Sequence, residues 1–193
     1  MVPLSIDLHK LKEEIKREVA SRLNKIEAEK YPLDASWLLY ALACDGKKDN
    51  FLFRKNLDPL EKSMISSTWG TRNKDLAALC LVFHLSNDKL VREVALKNIN
   101  SIIERNISKK PLLKFNVLND PEQLFCVSLV SNDLSESIRD PLVQLIRRRM
   151  NGGFLRKVFL SAALLEFGEK VDISSVLNFQ GLECPEDLII SLW

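Results

Sequence analysis

Residues 76–106 read LAALCLVFHLSNDKLVREVALKNINSIIERN, and this stretch decides the fold. An apolar, helix-like run ends at Ser86, Asn87 and Asp88, three residues suited to a turn and a helix cap. An amphipathic run follows at once: Val91, Val94, Ala95, Ile99, Ile102 and Ile103 share one face at helical spacing. The pattern predicts a greasy inner helix, a short turn and a half-wetted outer helix. It returns at residues 123–151, where Ser131, Asn132 and Asp133 lie 45 residues after the first SND. There Leu124, Phe125, Val127 and Leu129 are the inner positions, and Ile138, Leu142, Leu145, Ile146 and Met150 the outer stripe. The outer helices align best at 43 or 44 residues, and Pro141 predicts a kink or a late helix start near Asp140. A single hairpin cannot bury its apolar face, so the repeat implies stacking.

The same signals extend outward. Residues 7–29 place Leu8, Leu11, Ile15, Val19, Leu23 and Ile26 on one stripe of an N-terminal amphipathic helix. That helix would pack through the stripe or serve as a coiled-coil arm, although the spacing is not a regular heptad. Glu13 with Arg17 and Glu18 with Arg22 are expected as helical ion pairs. Tyr31 and Pro32 break it, and residues 35–44 form an inner helix. Phe51 to Phe53 reads as an apolar patch folded back on the core, with Asp58 capping a helix that opens at Pro59. Asp120 and Pro121 repeat that start signal, and Gly152 and Gly153 break the chain before the inner run at 154–167. Inner runs thus begin near residues 35, 76, 122 and 154.

Composition agrees with an all-α class. The 193 residues are 46% hydrophobic and 28% charged, with only 6 glycines and 7 prolines. That is too little turn punctuation for a β fold. One domain over 1–193 is expected, with helical-hairpin repeats at 35–168 and an atypical C-terminal cap at 169–193. Net charge is +2, which gives no global attraction for nucleic acid or membrane. The charged start does not read as a secretory signal, and no apolar run reaches 18 residues. No two of the four cysteines form a CxxC pair, so a reducing cytoplasmic setting is the expectation.

The first hairpin resembles a HEAT-like or armadillo-like repeat. Asp88 stands in the turn between its helices, followed by Val91-Arg92 and Ala95. Asp133, Ile138 and Arg139 keep part of the pattern in the second copy. The resemblance implies stacked antiparallel hairpins in an α-α superhelix with a concave binding surface. A compact irregular bundle or a partial α/α toroid would read much the same.

No sequence cluster reads as catalytic, and no cofactor or metal is implied. Phosphate-loop, dinucleotide and HExxH motifs are absent. Cys80, His84 and Asp88 lie four apart, which would align a thiol, an imidazole and a carboxylate, or begin a metal site. The apolar surroundings of Cys80 instead predict an inert core thiol, and His84 suits a helix C-terminus. His9 reads as exposed. Glu166, Glu169 and Asp172 read as helix-end charges, with Glu166 paired to Lys170.

Basic residues gather locally. Arg139, Arg147, Arg148, Arg149, Arg156 and Lys157 oppose only Glu136 and Asp140, and Lys109 and Lys110 follow the preceding outer helix. Lys109, Lys110, Arg147, Arg148, Arg149, Arg156 and Lys157 are therefore candidate contacts to phosphates or to an acidic partner. The same charges are favoured at helix C-termini without any partner. Leu188, Ile189, Ile190, Leu192 and Trp193 form an apolar segment that either caps the last hairpin or docks on a partner. The leading reading is a non-enzymatic protein-interaction or scaffold module. The alternative is a nucleic-acid-binding repeat protein, with Trp37, Trp69 and Asp75 as candidates for a base-processing pocket. Neither partner identity nor oligomeric state is written in these patterns.

Overall fold

A computed structural model describes residues 8–48, 50–66, 73–107 and 117–171. Among them all regular structure is helical and no strand occurs. Eight α-helices run in order: α1 (Leu8–Lys25), α2 (Pro32–Cys44), α3 (Phe51–Ser66), α4 (Leu76–Leu85), α5 (Lys89–Ile107), α6 (Pro121–Ser128), α7 (Glu136–Arg148) and α8 (Phe154–Glu166). Short 3-10 turns lie at Asn73–Asp75, Val117–Asn119 and Ser131–Asp133.

The helices sort into two rows by what they pack against. In the first, α2 packs on α4, α4 on α6 and α6 on α8. In the second, α3 packs on α5 and α5 on α7. Helix α5 backs α4, α7 backs α8, and α1 lies against α2 and α3. The first row holds the four inner runs, which start at Pro32, Leu76, Pro121 and Phe154. Helix α4 shows why these runs are apolar all round. Neighbours cover it on several sides, and every residue from Leu76 to Leu85 except His84 is buried. Helix α5 needs only one apolar face, and buries Val91, Ala95, Ile99, Ile102 and Ile103.

Caps set the boundaries. The Asp88 carboxylate accepts from the Leu90 and Val91 N–H groups at 2.8 and 3.1 Å and so starts α5. Asp120 does the same for α6, accepting from Glu122 N–H at 3.0 Å with Pro121 at the first helical position. Gly168 ends α8 at φ +78°, with Glu169 N–H to Leu164 O and Gly168 N–H to Leu165 O both at 2.9 Å, a Schellman arrangement.

Two expectations need correction. Asp58 does not open a helix: α3 begins at Phe51, and Pro59 lies inside it. Asn50 supplies the start, its side chain accepting from Leu52 N–H at 2.9 Å. An interior proline removes one backbone bond. The helix persists because Phe53, Leu57, Leu60 and Met64, at spacings of 4, 3 and 4, form one buried stripe that crosses the proline. Likewise α7 starts at Glu136, not near Asp140, and carries Pro141 within it. Helices α5 and α7 start 47 residues apart, at Lys89 and Glu136, while their buried positions match at an offset of 43 (Ala95 with Ile138, Ile99 with Leu142, Ile103 with Ile146) as well as at 47.

The N-terminal stripe is only half used. Leu23 is fully buried and Val19 and Ile26 pack on the core, whereas Leu11 and Ile15 are 42% and 44% exposed. Glu18 pairs with Arg22 at 2.6 Å as expected. Glu13 pairs with Lys16 at 2.8 Å rather than with Arg17, and Lys16 also reaches Asp45 at 2.9 Å, tying α1 to the end of α2.

Candidate functional site

The basic cluster does not stand out as a row of outward charges. Arg147 forms an ion pair with Glu169. The Arg149 guanidinium donates to the Leu118 carbonyl at 2.6 Å, and Arg156 donates to the Arg149 carbonyl at 3.2 Å. A Cβ at Gly152, whose φ is +144°, would come within 2.7 Å of Arg156 Cδ, so glycine leaves room for that side chain. Three of the five cations at this corner thus close the α7–α8 connection through acceptors at the ends of neighbouring elements. Arg148 is exposed and Lys157 half-buried at the same corner, with Arg139 half-buried earlier on α7. Lys109, Lys110 and residues 188–193 lie outside the described residues.

Cys80, His84 and Asp88 each have separate surroundings. Cys80 is fully buried, and burial pushes its thiol far above the usual range. Asp88 is held by the α5 N–H groups. His84 is half-buried, lies 5.8 Å from the Tyr40 ring and hydrogen-bonds the backbone of Leu129. Burial holds its imidazole below the ordinary range, with Lys48 and Arg92 acting in the same direction and the Leu129 bond opposing them. His9 is exposed as expected. Among the described residues, no group of three or more His, Cys, Asp or Glu side chains is placed to hold a metal ion. Glu166 is exposed, and it is Glu169 that finds a basic partner, in Arg147.

The structure does assemble an aromatic face whose members nothing in the linear order of residues grouped together. Trp37 and Tyr40 of α2, His84 of α4, Phe125 of α6 and Phe159 of α8 meet across the first row. Trp37 stacks on Phe125 at 6.1 Å and 11° between planes, and meets Tyr40 edge-on at 6.0 Å. Tyr40 reaches Phe125 at 6.2 Å, and Phe125 reaches Phe159 at 5.9 Å. Phe125 is buried beneath, while Trp37, Tyr40, His84 and Phe159 are all half-buried. Ala41 and Cys44, on the same side of α2, are both exposed. Burial and a hydrogen bond with Cys44 raise the Tyr40 hydroxyl well above its ordinary range, and burial raises the Cys44 thiol. Spacing along α2 carried a faint signal, since residues 37, 40, 41 and 44 share one helical face. The partners on α4, α6 and α8 become visible only once the row is built. Of the proposed base-processing trio, Trp37 joins this face, Asp75 is buried in the turn before α4, and Trp69 lies outside the described residues.

The chain matches no protein-family model, and neither curated proteins nor solved structures show a detectable match to it. No helix among the described residues is long and apolar enough to cross a membrane.

Proposed function

We propose that this chain is a non-enzymatic protein-interaction module in which HEAT-like helical hairpins stack into a superhelix and offer the aromatic face of the first row to a protein partner. The observation that carries the reading is the half-buried set Trp37, Tyr40, His84 and Phe159, drawn from three helices and seated on Phe125. Rigid, partly desolvated aromatics of this kind dominate binding energy at protein interfaces. The stacking half of the reading is supported by Arg92, which follows the turn in the first hairpin. It lies 4.0 Å over the Phe83 ring, donates to the Phe83 carbonyl at 3.0 Å and faces Asp133 of the next turn at 3.7 Å. One side chain therefore links successive hairpins.

The nucleic-acid alternative through the basic ridge has less support, because Arg147, Arg149 and Arg156 already serve acceptors within the chain.

Ala41→Arg tests the proposal, because it places a bulky charge on the aromatic side of α2 from an exposed position. Quantitative pulldown from native cells should lose proteins that the wild type and a Glu93→Arg control on α5 both retain, with unchanged thermal melts. Equal capture by all three would reject the aromatic face. Salt-sensitive heparin retention abolished by Arg148→Ala with Lys157→Ala would favour nucleic acid instead.

A further inference from the structure

Helix α8 is apolar on two opposite sides. Leu160, Ala163, Leu164 and Phe167 are buried toward the rest of the protein. At 3.6 residues per turn, Leu155, Val158, Ala162 and Leu165 form a second stripe about 180° away. Leu155 is 70% exposed and Leu165 49% exposed, with Val158 and Ala162 half-buried between them. A helix with two apolar sides belongs in the middle of a layer. Helices α4 and α6 have a row neighbour on both sides, but among the described residues the row stops at α8.

We propose that the chain's own residues 172–193 cover this second stripe and close the row. The course of the chain favours this occupant. After the reversal at Gly168, Glu169 pairs with Arg147 of α7, and Val171 packs against the core. The chain therefore leaves α8 alongside the structure, not away from it. Twenty-two residues come next, and ten of them are Val, Ile, Leu, Phe or Trp. Covering the stripe requires a span of only about 15 Å.

Hydrogen exchange of the full chain, read by mass spectrometry, tests this. Peptides from 172–193 should exchange at least about tenfold slower than the same sequence as an isolated peptide, independently of protein concentration. Leu155→Asp with Leu165→Asp should abolish that protection and leave α4 and α5 unchanged. Unprotected peptides in the wild type would overturn the proposal, as would protection that survives the double substitution. Protection lost on dilution would also overturn it and assign the stripe to a second copy. Should the double variant lose α4 protection, Ile189→Asp with Trp193→Ser leaves α8 intact. Faster exchange of α8 amides is then expected, and unchanged exchange would overturn the proposal.

Discussion

The tripeptide Ser-Asn-Asp occurs twice and does two different jobs. At 86–88 it lies outside any helix, the Ser86 hydroxyl accepting from Asp88 N–H at 3.0 Å and Asp88 capping α5. At 131–133 it is a 3-10 turn, and the Ser131 hydroxyl donates to the Glu166 carbonyl at 2.9 Å, at the end of α8. Asp133 faces Arg92 there instead of capping α7, which starts three residues later. The residues just after each turn explain the difference. Lys89 and Leu90 continue directly into a helix, whereas Leu134 is buried and pins the chain before Ser135 begins α7. The second connection (129–135) is four residues longer than the first (86–88) and α6 is two residues shorter than α4, so inner helices α4 and α6 start 45 residues apart and outer helices α5 and α7 start 47 apart. Identity over three residues marked the right place in the fold without fixing its conformation.

The largest expected effects come from the buried faces of the two outer helices. Ile99 of α5 and Ile146 of α7 are both fully buried. Ile99→Ala and Ile146→Ala should each cost about 2–5 kcal/mol in urea unfolding. Ile102 on α5 is fully buried, whereas Leu145 on α7 is half-buried. Leu145→Ala should cost clearly less than Ile102→Ala; equal losses would show that α7 buries as wide a face as α5. Smaller effects separate the turns. Asp88→Ala removes a cap and should cost about 1 kcal/mol. Asp133→Ala removes only a partly exposed 3.7 Å pairing with Arg92 and should stay within about 0.5 kcal/mol. Thermal melts that lose equal amounts for both aspartates would mean that the turns are equivalent after all.

The parts of the fold legible in the sequence were those governed by local periodicity. The stripes of α1 and α5, the all-round apolar α4 and the Asp120-Pro121 start needed only nearest-neighbour physics. The same reasoning misplaced α3, because Asp58 and Pro59 imitate a helix start while the Phe53–Leu57–Leu60–Met64 stripe, which decides the matter, depends on tertiary burial. It also counted the basic residues without the acceptors that three of them reach. Arg149 reaches Leu118, 31 residues away, and Arg147 reaches Glu169, 22 away, and neither acceptor shows in a count of charges. The aromatic face draws on four helices spread from Trp37 to Phe159, so no window of sequence contains it.

The two turns are also joined through His84, and pH gives the gentlest test of that join. His84 ends the helix before the first turn and bonds the backbone of Leu129, two residues before the second. Burial favours the neutral imidazole in the folded chain, and Lys48 and Arg92 oppose a further positive charge there. The unfolded chain therefore binds a proton at a pH where the folded chain does not. Stability should be complete above the ordinary histidine value of about 6.5 and fall as pH drops below it. Glu13, Glu18 and Asp45, all lowered chiefly by side-chain hydrogen bonds to basic partners, also lose stability on acidification. They act only near the carboxylate range of about 4, so the two windows separate. Urea midpoints measured between about pH 5 and 8 should slope downward toward acid in the wild type. His84→Gln should flatten that slope while leaving the decline near pH 4 in place. A slope unchanged by His84→Gln would show that the imidazole does not carry the pH response across this junction. The join between the two turns would then rest on Arg92, which faces Asp133 and whose charge is constant over the whole range.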